Sequence, residues 1–148
     1  MRTVKCPQAH SSRMEHEAVQ TVTAADTASA GRVIAAVTHL GGLVTWIVGP
    51  LVVLWLSDDP FVRANALHAL NWQLTVGVVT YVALALYGVT LLTGDTRPVL
   101  WSSVIAVCVL GGTILFCVVA TLRAATGDVW EYPLSLRIVE TSTVSRAF

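Results

Sequence analysis

The sequence has few charged residues, and this scarcity excludes most soluble folds. Only 12% of its 148 residues are Asp, Glu, Lys or Arg, whereas 55% are hydrophobic. Soluble domains average about 25% charged and about 45–50% apolar residues, so a soluble domain of this size would lack polar surface. The nine basic and nine acidic residues also balance, and no basic patch favours nucleic acid as a partner.

Cysteine is scarce, and its spacing predicts neither a disulfide framework nor a metal site. Cys108 and Cys117 lie nine residues apart in one predicted helix, on roughly opposite faces, so they cannot bridge each other. Cys6, together with His10 and His16, matches no standard zinc spacing. We therefore predict that the protein holds no metal ion and no cofactor.

Patterns typical of catalysis are missing as well. The long apolar runs contain no Asp or Glu, and His39 in the first run has no identifiable nucleophile beside it. A triad, a zinc site or a pair of carboxylates would need such residues close together. We predict that the protein is not an enzyme.

Three long runs without a charged residue dominate the chain: Val33 to Leu56, Ala64 to Gly94, and Pro98 to Leu122. Each exceeds the ~18 residues that favour a transmembrane helix and can cross a hydrocarbon core of about 30 Å. We predict an all-α membrane protein with three transmembrane helices, an interfacial helical connector before the second span and a short C-terminal extended segment. The predicted spans cover about residues 33–56, 71–92 and 98–122.

The predicted membrane domain covers residues 32–139 and has a tail at each end. Residues 1–31 mix Ser, Thr, Ala and Gln with charges of both signs and contain no apolar run, so we expect disorder. Without an apolar segment before Arg32, this tail is not a signal peptide. Residues 140–148 are predicted to be loose. The domain predicts a multi-pass protein of the cell membrane whose first partner is the lipid bilayer.

The first predicted span carries small residues at regular spacing. Gly41, Thr45 and Gly49 recur every four residues, which favours either a helix packing seam or permissive packing without a special partner. Pro50 inside the span predicts a kink, because proline lacks an N–H and leaves a backbone carbonyl in need of another partner.

His39 in the same span has two interpretations. An ionisable group at membrane depth is a functional candidate by default. The alternative is a neutral histidine that hydrogen-bonds a neighbouring helix, with Ser102, Ser103 or Tyr87 as partners if the spans alternate in direction. The second interpretation is favoured.

A polar stretch, Asp58 to Gln73, joins the first two runs. Asp59 and Pro60 predict a helix start, with Asp59 as the N-cap, and this helix can continue to about Leu92. Its polar side chains either bond neighbouring helices or face headgroup water. The predicted polar interaction face consists of Asp59, Arg63, Asn65, His68, Asn71, Gln73, Arg123, Tyr132 and Arg137.

A second polar block follows the third run. Gly127 predicts the helix stop and Pro133 prevents its resumption, while Trp130 and Tyr132 are typical of the aromatic belt at a membrane interface. Three alternating spans place this block on the same side as the first polar stretch. We therefore expect ion pairs between the two blocks and expect His39 on the opposite side.

The order of these residues resembles a known family. It runs from His39-Leu40 through Pro60-Phe61-Val62-Arg63, Ala66 and Ala69-Leu70-Asn71-Trp72-Gln73 to Gly127 and Tyr132-Pro133-Leu134. This order is similar to the small membrane proteins grouped as domain of unknown function forty-eight-seventy, also called Tic-twenty-like. The resemblance covers about residues 32–139. It implies a distant relation to a plastid import component but no activity for the family itself.

These observations predict a structural, assembly or interaction protein of the cytoplasmic membrane. Its polar blocks would dock another membrane protein or further copies of the chain. The alternative, suggested by the resemblance and by polar residues at membrane depth, is a subunit of an oligomeric channel or protein-translocation pore.

Overall fold

The computed structural model describes residues 8–139, apart from the side chains of residues 8–13 and 16. Four helices follow one another, and residues 127–139 form an irregular C-terminal segment with no strand. The all-α prediction is confirmed. The helices are α1 (Gln8–Thr45), α2 (Val48–Leu56), α3 (Pro60–Thr93) and α4 (Arg97–Thr126).

The prediction of three transmembrane helices is wrong. By length and composition, the described part of the chain has two helices that could cross a membrane, α3 and α4. Their 34 and 30 residues correspond to about 51 and 45 Å of helix. The first predicted span is instead split between α1 and α2. Since α2 has only nine residues, it is about 14 Å long, less than half of a hydrocarbon core of about 30 Å.

The split occurs at Trp46, whose φ of +53° lies in the left-handed region. The break places Pro50 in the first turn of α2, where a missing N–H removes no helical hydrogen bond. Near the break, the carbonyl of Gly42 accepts a hydrogen bond from Gln73 Nε2 at 3.0 Å. The Trp46 indole donates to the Gln73 carbonyl at 3.2 Å. The predicted kink is therefore a complete interruption, four residues before the proline.

After the break the chain turns back. The residues of α1 from Gly31 to Gly42 run in the same direction as the start of α3, because Gly31 lies beside Asp59 and Gly42 beside Gln73. In α2, Leu54 packs against Ala66, Leu67 and Leu70 of α3, so α2 runs in the opposite direction. The two helices form a hairpin, here the α1–α2 hairpin, with its tip at Trp46.

The side chain of Arg63, near the beginning of α3, hydrogen-bonds the end of α2. Arg63 Nη1 donates to the carbonyl of Leu54 at 2.9 Å and to that of Ser57 at 3.2 Å. Carbonyls in the last turn of a helix lack partners within the helix, and a positive charge there also suits the helix dipole. Arg63 therefore caps α2.

The predicted helix boundaries of α3 and α4 are confirmed at both polar blocks. The Asp59 side chain caps α3 by accepting a hydrogen bond from the Phe61 amide at 2.8 Å. Gly127 ends α4 with a φ of +92°, and Asp128 N donates to the Arg123 carbonyl at 2.9 Å. This pattern is a Schellman motif, which glycine adopts without steric strain.

Of the predicted small residues, Gly49 of α2 adjoins the side chain of Thr45 across the break; the close approaches to α3 occur at other glycines. A Cβ added to Gly31 would lie 2.7 Å from Asp59 Oδ2, and one added to Gly42 would lie 3.0 Å from Gln73 Nε2. A Cβ at Gly41 would meet nothing within 4 Å. The four-residue spacing does not mark the contact because the helix that would carry it ends at Thr45.

Two regions of different packing result. The head, residues 31–77 and 113–139, contains the α1–α2 hairpin, the first half of α3, the end of α4 and the C-terminal segment. The stem, residues 78–112, consists of α3 and α4 alone, and within it only Ala83 is buried. There Ser102 Oγ donates to the Ala83 carbonyl at 2.9 Å.

α1 begins well before the head. Residues 8–30, for which the sequence predicts disorder, are helical, and those from 17 to 30 are exposed. This stretch contains six Ala and has no Gly or Pro, which favours a helix over other conformations. Residues 1–7 and 140–148, with Cys6, lie outside the described residues, so the predictions made for them stay predictions.

Candidate functional site

Four buried side chains from four parts of the chain meet in the head. They are His39 of α1, Asn65 of α3, Cys117 of α4 and Tyr132 of the C-terminal segment, with exposed fractions of 0%, 0%, 1% and 2%. His39 Nδ1 lies 3.0 Å from the Tyr132 hydroxyl, and His39 Nε2 lies 3.1 Å from Asn65 Oδ1. The Tyr132 hydroxyl is 4.0 Å from Cys117 Sγ. We call this set the buried polar network.

The hydrogen bonds fix where the protons lie. Asn65 Nδ2 donates to the Phe61 carbonyl at 3.0 Å, so Asn65 Oδ1 is the acceptor that faces His39. His39 Nε2 must then carry a proton. In a neutral imidazole Nδ1 is consequently an acceptor, and the Tyr132 hydroxyl donates to it. Every ring nitrogen of His39 has a partner while the side chain remains neutral.

Aromatic rings surround the phenol of Tyr132. Its ring stacks on Trp72 with centroids 5.1 Å apart and contacts Trp130 at 4.9 Å and Phe116 at 6.4 Å. Burial, with a smaller effect of Cys117, raises the pKa of Tyr132 far above its usual value, because the environment cannot solvate a phenolate. Tyr132 therefore remains a hydrogen-bond donor. The predicted place in an interfacial aromatic belt is wrong for this residue, which lies inside the head.

A second set of contacts attaches the end of the C-terminal segment. Asn71 Nδ2 donates to the Val139 carbonyl at 3.0 Å, and Asn71 Oδ1 accepts from the Val139 amide at 2.8 Å. Thr75 Oγ1, one turn further along α3, accepts from the Leu136 amide at 2.9 Å. The two side chains satisfy backbone groups as a neighbouring strand would, which holds an irregular segment without a sheet.

The structure divides the predicted polar face into an inner and an outer group. Asn65, Asn71, Gln73 and Tyr132 are buried in the head, where they bond other elements. The outer group lies at the end of the head and consists of Asp59, Arg63, His68, Arg123 and Arg137.

Within the outer group the charged residues find local partners. Arg123 pairs with Asp128 at 3.5 Å and Arg137 with Glu131 at 2.6 Å. Both ion pairs lie inside the C-terminal block, whereas the sequence predicts ion pairs between the two blocks. His68 is half-buried on α3.

His39 lies on the side that the sequence did not predict. It bonds Asn65 and Tyr132 rather than Ser102, Ser103 or Tyr87, because α1 stops at Thr45 instead of crossing. Its ring is at the level of the polar blocks. The favoured interpretation, a histidine bonded to neighbouring elements, agrees with this geometry.

Three residues of the site were not predicted from the sequence: Cys117, Thr75 and Trp72. On a helical wheel Thr75 and Trp72 share a face with Asn65, which is a usable signal. Cys117 gives none, because a small sulfur side chain in an apolar run is typical of ordinary packing. Among the described residues, no three His, Cys, Asp or Glu side chains are grouped to hold a metal ion.

The arrangement joins elements rather than presenting a reactive group. The buried polar network runs from the Cys117 thiol to the Phe61 carbonyl. Its four side chains are at most 2% exposed. Removing one member leaves others buried without partners, which costs more than the bond itself contributes. The site can therefore position the C-terminal segment against α1, α3 and α4.

Comparison with known proteins gives one family. The model of the magnetosome magnetite crystal formation protein family, MamF/MmsF, matches residues 30–139, more than two thirds of the 148 residues. No curated protein and no solved structure matches the chain. The resemblance to the Tic-twenty-like family is therefore wrong. In the structure, the motif residues Asn71, Gln73 and Tyr132 bond other elements of the head.

Proposed function

Since the chain belongs to the magnetosome magnetite crystal formation family, we propose that it is a structural or assembly protein of the membrane in which these crystals form. In this proposal α3 and α4 cross the membrane, and the head holds a charged surface at one face of it. The protein acts by presenting that surface to other components rather than by catalysis.

The observation that carries the proposal is the buried polar network. It fixes the C-terminal segment, which bears Asp128, Glu131 and Arg137, against three helices. A segment without regular structure would otherwise sample many conformations. Fixing it gives the charged side chains defined positions relative to Asp58 and Asp59, as a docking surface requires.

The distribution of charge supports the same proposal. At the far end of the stem the charged residues are Asp95, in the loop between α3 and α4, and Arg97, at the start of α4. The charged residues of the head end are Arg32, Asp58, Asp59, Arg63, Arg123, Asp128, Glu131 and Arg137. This asymmetry favours a protein with one interacting face. The comparisons give no support to the translocation-pore alternative, and it is not proposed.

The proposal is tested by complementation. A magnetosome-forming cell that lacks its own member of the family would receive the wild-type chain, and crystal diameter and number would be measured by electron microscopy. We expect the wild-type chain to restore both. The double variant Glu131→Gln/Arg137→Gln removes an exposed ion pair of the head and should restore them less well.

The matched control is Asp95→Asn/Arg97→Gln, which removes one charge of each sign from the far end of the stem. It should behave as wild type. Equal crystals with the wild-type chain and with no chain, when the protein is present in the membrane fraction, would reject a role in crystal formation. Equal loss in both double variants would reject the head as the interacting face.

A further inference from the structure

The α1–α2 hairpin covers only the head, so one side of the α3–α4 pair is open just beyond its tip. A groove of about 490 Å³ lies there. Leu43 and Trp46 at the tip form its end, Val76 and Thr80 line it from α3, and Ala106 and Val109 line it from α4. The groove occupies the place that the predicted first span would have filled.

The chemistry of the groove selects an apolar occupant. Its two long walls belong to runs without a charged residue, from Ala64 to Gly94 and from Pro98 to Leu122. The amide, indole and carbonyl groups at its end are already paired, because Gln73 Nε2 bonds the Gly42 carbonyl and the Trp46 indole bonds the Gln73 carbonyl. The buried hydroxyl of Thr113, which also lines the groove, has no partner among the described residues, but the surrounding walls are mainly apolar.

The size of the groove decides between a lipid chain and a helix of another protein. A helix of 10–12 Å diameter fills roughly 400–600 Å³ in each 5.4 Å turn, so the groove of about 490 Å³ would hold about one turn. A cavity of about 150 Å³ already holds benzene. A slender hydrocarbon chain of many methylene groups fits the available volume.

We propose that this groove binds one acyl chain of a membrane phospholipid. The chain fills the space beside α3 and α4 that the short α1–α2 hairpin leaves open. The proposal rests on the proposed membrane location of α3 and α4, and it adds a lipid site that the function in crystal formation does not require.

The test uses the full chain in phosphatidylcholine vesicles in which a fraction of the lipid carries a diazirine near the end of one acyl chain. Irradiation attaches the lipid to nearby residues, and mass spectrometry locates the adducts. Val109 in the groove should be labelled several-fold more than Val107, whose side chain is 71% exposed on the outer surface of α4. Equal labelling of the two positions would overturn the proposal.

Two matched substitutions on α4 sharpen the test. Ala106→Trp fills the groove from its exposed wall and should lower labelling at Val109 several-fold. Val107→Trp adds the same side chain to the neighbouring outward position and should leave it unchanged. Unchanged labelling in Ala106→Trp, or attachment of Val109 to a second protein chain instead of lipid, would reject the site.

Membrane integration is measured separately, as resistance of the reconstituted protein to extraction at alkaline pH. A protein that resists extraction but shows no preference for the groove would refute the lipid site and leave the proposed function standing. A protein that is extracted would refute both.

Discussion

The head and the stem are both rich in apolar residues but are held together in different ways. In the head, buried amide, imidazole and hydroxyl groups bond across elements that are distant in the chain, as Asn65 does with His39 and Asn71 with Val139. In the stem, Ser102 supplies one such bond to Ala83, and the large apolar side chains point outward.

The head is therefore ordered by its own contacts, whereas the stem depends on what surrounds it. The head carries its own specificity, because a buried polar group has few acceptable partners and each wrong pairing leaves it unsatisfied. The stem has little specificity of its own and depends on its surroundings to cover side chains such as Tyr81 and Leu92, which are 73% and 89% exposed. Substitutions in the head should therefore destabilise the protein itself, and matched substitutions in the stem should not.

The largest contrast is expected for tyrosine. Tyr132→Ala removes a ring enclosed by three aromatic side chains and should lower the free energy of unfolding by about 3–5 kcal/mol. Tyr81→Ala in the stem should change it by less than about 0.5 kcal/mol. Thermal unfolding in mild detergent measures both. Similar losses in the two variants would abolish the distinction between head and stem.

A smaller effect is expected from Asn65. Asn65→Leu leaves His39 Nε2 without its partner in the core, which should cost about 1–3 kcal/mol. Combining it with His39→Leu should cost less than the sum of the two single changes, because the stranded donor is removed too. Strictly additive losses would show that the two side chains are not coupled.

Asn71 tests the attachment of the C-terminal segment alone. Asn71→Leu removes two hydrogen bonds to Val139 and should cost about 1–2 kcal/mol, while membrane insertion stays intact. The Val139 amide should exchange with solvent faster, and proteases should cleave after residue 135 more readily. Unchanged exchange at Val139 together with unchanged thermal stability would show that the two Asn71–Val139 hydrogen bonds do not hold the C-terminal segment.

The pH dependence of stability gives the most gradual effect. Burial raises the pKa of the Tyr132 phenol, so above pH 10 the unfolded chain releases this proton while the folded chain retains it. Stability should be unaffected by this group below pH 10 and fall above it by up to about 1.4 kcal/mol per pH unit. Tyr132→Phe should remove this component, whereas Tyr81→Phe should retain it.

The sequence predicts local features of this fold well. Asp59 with Pro60 predicts the start of α3, and Gly127 predicts the end of α4, because each feature depends on the residue that forms it and its immediate neighbours. Both are confirmed. The all-α class follows in the same way from long uncharged runs.

The direction of the first apolar run could not be predicted. Run length and charge are the same whether the run crosses or turns back, and the reversal depends on a tertiary hydrogen bond from Gln73 to the Gly42 carbonyl. The error carried over to His39, whose side followed from the assumed crossing. The partners of Cys117 and Tyr132 were likewise beyond reach, since their contacts join elements that the sequence cannot orient.

The interruption at Trp46 also bears on how the protein enters a membrane. Three crossings would send the two ends of the domain to opposite compartments, and one of them would have to be moved through the bilayer. In the proposed arrangement, in which α3 and α4 cross, the part of residues 8–139 that must pass through is the short loop around Asp95 and Arg97. Moving so few charged residues through hydrocarbon costs only several kcal/mol on insertion scales. Because the chain reverses at Trp46, the proposed arrangement requires only one small turn to be translocated.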